Sequence, residues 1–105
     1  TNQVLAKQIN NGLKSIKNKS NIILAYEPVW SIGTGLIPKS NDLLKSVSFI
    51  KNRFGKKPPK ILYGGSVNSN NIAQLKDIDI IDGFLIGGAS QSSKKFIDII
   101  KKTFN

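Results

Sequence analysis

Glu27 is the strongest candidate for acid–base chemistry in this chain of 105 residues. Histidine and cysteine are both absent, which removes the commonest general acid/base, the thiolate nucleophile and the usual ligands of structural zinc. Any acid–base chemistry must therefore use a carboxylate, a lysine or a tyrosine. Glu27 follows the apolar run 22–25 and Tyr26, and it precedes Pro28 and Trp30. Taken alone, such a glutamate is also compatible with a solvated strand end.

Three glycine-containing segments could bind an anion through backbone N–H groups. They are residues 31–35 (Ser-Ile-Gly-Thr-Gly), 64–66 (Gly-Gly-Ser) and 87–90 (Gly-Gly-Ala-Ser). Open backbone beside the start of a helix is an arrangement that binds phosphate dianions. Each segment by itself is equally what a tight turn between a strand and a helix requires. The choice between the two interpretations depends on where the segments lie relative to one another.

The hydrophobic pattern predicts four helices that alternate with three strands. Apolar residues three and four apart indicate helices, and short unbroken apolar runs indicate strands buried on both faces of a parallel sheet. We expect helices over residues 4–17 and 41–54, a third after residue 68 and a fourth from Ser93. Ser40 could cap the second helix, and Asn68 or Asn70 could cap the third. Ile72 and Leu75 of the third helix should point inward. The expected strands are 21–26, 60–63 and 81–86. The expected apolar faces carry Leu43, Leu44, Val47, Ile50 and Phe54, and later Phe96, Ile97, Ile100 and Phe104.

This alternating order carries no hairpin signal, so it predicts an α/β fold of parallel strands joined by crossover helices. Ligands of such folds bind beyond the carboxyl ends of the strands. The segments after Tyr26, Tyr63 and Ile86 should therefore converge on one site. Their joint placement favours phosphate binding over three unrelated turns.

The net charge of +10 raises a nucleic-acid-binding module as an alternative function. Such a module would bind DNA or RNA with a steep salt dependence. Only Arg53 among the 16 basic residues is an arginine, and the lysines are spread from Lys7 to Lys102. We therefore interpret the charge as solvated surface. The sequence contains no apolar run of about eighteen residues and its first residues are polar, so we expect a soluble, cytoplasmic protein.

Three motifs together resemble the signatures of triosephosphate isomerase. They are Tyr26–Trp30 with Ile32–Gly35, Tyr63–Asn68, and Asp82–Ser90, in the family's order. Residues 4–17 are similar to the helix before the family's sixth strand, so the resemblance covers essentially the whole chain. It implies the C-terminal portion of a (β/α)8 TIM barrel, with residues 1–105 forming one partial barrel and no second domain. A different barrel enzyme with the same phosphate site is disfavoured by the loop around Glu27.

The resemblance implies an aldose–ketose isomerase that interconverts dihydroxyacetone phosphate and glyceraldehyde 3-phosphate, in glycolysis and gluconeogenesis, by proton transfer through an enediolate. The implied reaction needs no cofactor or metal. The full-length proteins of the family are expected to be homodimers. The implied residues are Glu27 as base, Gly33, Ser66, Gly87 and Gly88 for the substrate, and Trp30, Ile32, Tyr63 and Leu85 for the lid and pocket. Ile32 and Leu85 would keep the carboxylate dry, and Tyr63 and Ser66 would hold the closed lid by hydrogen bonds.

Two departures from the family qualify that expectation. Residues 36–38 (Leu-Ile-Pro) stand where the family usually has a Lys-Thr-Ala-like stretch, and proline fixes one torsion of this second hinge. A complete barrel has eight strands and about 250 residues, whereas this chain supplies three strands and begins without methionine. It therefore lacks the family's substrate-binding asparagine and lysine, its histidine electrophile and much of its dimer interface.

We accordingly expect the chain to fold poorly and to be almost inactive alone, as a fragment, a split gene product or a truncated reading frame. Three parallel strands cannot close into a barrel, so unpaired edges remain. The alternative function is a non-catalytic truncated remnant or a phosphate-binding fragment. Complementation by an N-terminal chain would separate the two, because only an isomerase would regain turnover.

Overall fold

Helices and strands alternate along the chain, as the hydrophobic pattern predicts. The computed structural model describes residues 2–16, 22–28 and 36–104. The elements in order are α1 (Asn2–Gly12), β1 (Ile23–Tyr26), α2 (Ser40–Asn52), β2 (Lys60–Gly64), α3 (Ile72–Lys76), β3 (Gly83–Leu85) and α4 (Ser93–Thr103). A short 3-10 helix, Gly88–Gln91, lies between β3 and α4. The expected α/β class and order of elements are confirmed, although most elements are shorter than predicted.

The three strands form one parallel sheet in the order β1-β2-β3. Tyr26 is level with Tyr63, and Tyr63 is level with Phe84. Gly64 is level with Leu85 at the carboxyl end of the sheet. The predicted parallel arrangement is therefore confirmed for the described strands, and the loops after all three strands emerge at one end.

One face of the sheet packs against the helices. Because side chains alternate along a strand, Leu24 and Tyr26 share this face with Ile61, Tyr63 and Phe84. Ile61 and Tyr63 have no exposed surface. Their partners in the core are Leu43, Val47 and Ile50 from α2, Ile72 and Leu75 from α3, and Ile99 from α4. The inward direction predicted for Ile72 and Leu75 is confirmed.

The opposite face of the sheet is open among the described residues. Ile23 is 63% exposed and Leu85 is 43% exposed, and Ala25 is also exposed. The expectation that the first strand would be buried on both faces is wrong for this structure, because every described helix that reaches the core packs on the same side. We call this surface the open face.

The predicted caps of α2 and α3 differ from the observed ones. Ser40 is the first residue of α2, Lys39 occupies the cap position, and no side chain caps the helix. The Lys39 carbonyl already accepts from Leu43 N–H at 2.9 Å, so the helix begins one residue earlier than expected. Asn68, in contrast, accepts from the N–H groups of Asn70 and Asn71 at 2.8 and 3.0 Å. Asn68 thus stabilises the turn before α3, but the cap position of α3 is Asn71 and no side chain caps the helix. The predicted cap of α3 by Asn68 or Asn70 is therefore wrong.

Two apolar faces were predicted only in part. On α4, Ile99 is the buried side chain, whereas Phe96, Ile97, Ile100 and Phe104 are 36–83% exposed. On α2, Leu43, Val47 and Ile50 are buried and Phe54 is half-buried, but Leu44 is 42% exposed. Adjacent helical residues point about 100° apart, so Leu43 and Leu44 cannot both face a core of this size.

Asp82, the residue before β3, contacts both β2 and α2. Its carboxylate accepts from Ile61 N–H at 2.8 Å and lies 3.1 Å from the Lys51 ammonium. Its own N–H donates to the Ile61 carbonyl at 2.9 Å. Burial acts to raise the pKa of Asp82, but the Ile61 N–H, Lys51 and Lys60 outweigh it and lower the pKa below its usual value. Asp82 thereby fixes β3 against β2.

The charge of Asp82 should stabilise the fold. We expect Asp82→Asn to lower the free energy of unfolding by about 1 kcal/mol at neutral pH, because a partly exposed charged hydrogen bond is lost. A lowered pKa contributes stability that is present above the unfolded value and is lost as pH falls through the folded value. The difference between wild type and variant in urea unfolding should therefore shrink below about pH 4.

Asp98→Asn is the matched control, because Asp98 is an exposed carboxylate on α4. It should leave the free energy of unfolding within about 0.5 kcal/mol of wild type. A loss for Asp82→Asn that is the same at neutral and acidic pH would show that the charge of Asp82 has no such role.

Candidate active site

The carboxyl ends of the strands bring Glu27 against Gly64. Tyr26 pairs with Tyr63, so Glu27, one residue further on, is level with Gly64 and with its partner Leu85. A Cβ atom placed on Gly64 would lie 2.6 Å from Glu27 Cγ and 2.8 Å from Oε1. The Glu27 side chain therefore crosses the bare backbone of the neighbouring strand.

The close approach of Gly64 to the Glu27 side chain is a contact that the motif alone did not reveal. In the sequence, Gly64 is one of two adjacent glycines in a turn, but in the structure Gly64 and Gly65 have different settings. Gly64 leaves space for the Glu27 side chain, and Gly65 has φ of 149°, a conformation that other residues rarely adopt. The available signal was that both glycines occur directly at a strand end.

Glu27 also lies at the rim of a cavity between α1 and β1. This cavity has a volume of about 560 Å³, and mostly apolar side chains line it, including Leu5, Ile9, Leu13 and Leu24. Glu27 is exposed, while Pro28 beside it is buried. Glu27 thus contributes to the rim of an apolar cavity at the edge of β1, while its carboxylate lies over Gly64 on the side of β2.

The predicted phosphate-binding residues lie in the loops that follow β2 and β3. Ser66 is half-buried, and its carbonyl accepts from the Asn71 side-chain amide. Gly87 and Gly88 are exposed, and a Cβ atom on either would meet nothing within 4 Å. Gly88 begins the short 3-10 helix, as predicted for this segment. The loops of Glu27, Ser66 and Gly88 therefore open at the same end of the sheet.

The two described lid and pocket residues lie on opposite faces of the sheet. Leu85 is on the open face at the level of Glu27, whereas Tyr63 is completely buried on the covered face. A role of Leu85 in shielding the carboxylate and of Tyr63 in holding a lid both stay predictions. Trp30, Ile32 and Gly33 lie outside the described residues, and so do their predicted roles.

Residues 36–38, the predicted second hinge, lead directly into α2. Pro38 is buried and Ile37 packs against the core, whereas Leu36 is 60% exposed. Ile37 and Pro38 are therefore packed against the core just before the helix begins at Ser40.

Within residues 2–16, 22–28 and 36–104, no helix has the length and apolar character needed to span a bilayer. The same residues contain no group of three or more acidic side chains that could coordinate a metal ion.

Known proteins similar to this chain agree with the resemblance of its motifs. The family model described as triosephosphate isomerase matches residues 1–103. The triosephosphate isomerase of Thermodesulfovibrio yellowstonii is 41% identical over 107 residues, which cover 96% of this chain and 44% of that protein. The Saccharomyces cerevisiae protein of the same name is 42% identical over 107 residues, covering 95% and 43%. The chain thus spans less than half the length of these relatives.

A methyl group at Gly64 should displace the Glu27 side chain. We expect Gly64→Ala to change the carboxyl ¹³C chemical shift of Glu27 and to lower the free energy of unfolding by about 1 kcal/mol, the cost of an unfavourable side-chain torsion. Gly12→Ala is the matched control, because a Cβ atom there meets nothing within 4 Å. It should leave the Glu27 signal unchanged. An unchanged Glu27 signal in Gly64→Ala would contradict the close approach of Glu27 to Gly64.

Proposed function

The chain belongs to the triosephosphate isomerase family, and we propose that it carries the base and the phosphate-binding part of an aldose–ketose isomerase. The proposed reaction interconverts dihydroxyacetone phosphate and glyceraldehyde 3-phosphate. Glu27 would remove a proton from one carbon and return it to the neighbouring carbon through an enediolate. The observation that carries the proposal is the Glu27 side chain, which lies across Gly64 at the common end of the strands.

Two requirements of such a base support the assignment of Glu27. A general base must lie within hydrogen-bond reach of the proton that it removes, and the contact with Gly64 restricts where the carboxylate can lie. A carboxylate becomes a stronger base when water is excluded. Leu85 at the same level and Ile32 in the following loop would provide that exclusion. Triosephosphate isomerase is itself a standard example of catalysis by a glutamate base.

Phosphate binding would hold the substrate beside this base. Ser66, Gly87 and Gly88 lie in loops at the same end of the sheet as Glu27, and Gly33 would add an N–H group from the loop after β1. The exposed backbone of Gly87 and Gly88 leaves room for a phosphate to approach. Binding energy from the non-reacting phosphate can then orient the reacting carbons. The net charge of +10 would favour arrival of an anionic substrate.

The remaining catalytic groups would have to come from another part of a barrel. Polarisation of the substrate carbonyl requires a hydrogen-bond donor, and the chain contains no histidine for this task. Further strands would pair with the edges of β1 and β3, and the groups that they carry would then lie across the barrel from the open face. We therefore propose that turnover depends on these strands and that this chain alone has negligible activity.

A non-catalytic remnant that binds phosphate is the second candidate. The observation that favours it is the combination of exposed loop glycines with a base that lacks an electrophile within the 105 residues. Such a protein would still bind a phosphate ester near Ser66 and Gly88. It would not convert one triose phosphate into the other after complementation.

Complementation tests the proposed function. We expect co-expression with the N-terminal part of the Saccharomyces cerevisiae relative, through its fifth strand, to restore isomerase turnover in a coupled assay. Glu27→Gln should then reduce kcat by at least about a hundredfold, because general-base catalysis contributes about 10²–10⁴. The variant should change KM little, since the phosphate contacts are unchanged.

Asp98→Asn, which alters an exposed carboxylate far along the chain, is the control and should retain full turnover. A folded complex without turnover would support the remnant instead. Turnover by the isolated chain that Glu27→Gln abolishes would contradict the proposed need for further strands.

A further inference from the structure

A second cavity lies at the end of the strands opposite to Glu27. Its volume is about 350 Å³, within the usual range for small-molecule sites of about 300–1,000 Å³. Lys14 follows α1, Arg53 follows α2 and Lys57 precedes β2, so these residues belong to the turns that lead back to the amino ends of the strands. We call it the basic cavity.

The rim of the basic cavity is cationic and contains no carboxylate. Lys14, Arg53 and Lys57 line it together with the amide of Asn10. Among the described residues, the observed ion pair is Lys51 with Asp82, which lies elsewhere. The ends of α1 and α2 offer partial negative charge to Lys14 and Arg53, but this cannot neutralise three full charges. A bound anion would relieve their mutual repulsion.

Arg53 is held by neutral groups. Its Nη2 donates to Asn10 Oδ1 at 2.8 Å, and its guanidinium carbon lies 6.0 Å from the centre of the Phe49 ring. These contacts orient the guanidinium without cancelling its charge. The planar array of N–H donors on arginine matches the oxygens of a phosphate group. Arg53 is thus positioned to bind one.

The floor of the basic cavity is apolar. Leu13 is buried at 9% exposure, while Ile9 and Phe54 are half-buried and pack against the core. A cationic rim above an apolar floor suits a ligand with an anionic group and an apolar body. We propose that the basic cavity binds a small organic phosphate in which a phosphate monoester is joined to an apolar ring.

The cationic rim of this site is separate from the proposed isomerase site. Ile9 and Leu13 line both this cavity and the one beside Glu27, but Lys14, Arg53 and Lys57 line the basic cavity alone. The lining residues come from α1 and from the turns after α1 and α2, and neither the open face nor the strand edges contribute. Strands added to the sheet would therefore leave it in place. Ser66, Gly87 and Gly88 lie at the other end of the strands, so occupation of the two sites can be distinguished.

Phenyl phosphate titrated into the full chain tests the proposal. We expect backbone amide NMR signals of Lys14, Arg53 and Lys57 to shift with saturation. The triple variant Lys14→Gln, Arg53→Gln, Lys57→Gln should weaken that binding by at least about tenfold, because charge-assisted hydrogen bonds are lost. Inorganic phosphate and phenol should each bind more weakly than phenyl phosphate, since each lacks one half of the proposed interaction.

The matched control removes the same charge elsewhere. Lys94→Gln, Lys95→Gln, Lys101→Gln changes three exposed lysines of α4 and should leave the affinity within about twofold of wild type. Circular dichroism would check that both variants fold. Equal weakening by both variants, or shifts confined to Ser66, Gly87 and Gly88, would overturn the proposal. Equal affinity for inorganic phosphate and phenyl phosphate would also overturn it.

Discussion

The parallel pairing of β2 with both of its neighbours is the constraint on which the site depends. One register places Tyr63 between Tyr26 and Phe84, and the residues that follow them place Glu27 beside Gly64. A slip of one residue would move every side chain of the slipped strand to the other face of the sheet. In β1 it would turn Glu27 toward the helices, and in β2 it would expose Tyr63. Asp82 opposes such a slip between β2 and β3 because it binds the backbone of Ile61 through both its carboxylate and its N–H.

Local sequence patterns predicted the features that depend on interactions between residues near one another in the chain. Unbroken apolar runs, helical spacing and glycines at strand ends indicated the order of elements, the parallel sheet and the edge at which Glu27 lies. The contact between Glu27 and Gly64 joins positions far apart in sequence, and the contact between Asp82 and Ile61 spans 21 residues. The residue types at these positions do not indicate which residues they will contact. Such contacts follow from the register, which only the assembled sheet determines.

Errors arose where burial depends on what surrounds an element. Ile23 has the same apolar character as Ile61, yet one is 63% exposed and the other is fully buried, because the helices cover a single face. The same cause left Ile97 and Ile100 outside the core while Ile99 was buried. Ser40 is a favourable capping residue, but the Lys39 carbonyl had already begun the helix. A residue's type indicates whether it favours burial or a cap position, whereas the packing around it determines whether it takes up that position.

If another polypeptide covers the open face, the stability of this chain depends on the concentration of that polypeptide. If a separate polypeptide supplies the strands that cover Ile23, Leu62 and Leu85, folding and association become linked equilibria. Such a partner would stabilise the chain by about 2.7 kcal/mol when present at a hundred times its dissociation constant. Dilution would withdraw that stabilisation without any change in sequence, temperature or pH. The melting temperature would then describe the mixture and not this polypeptide.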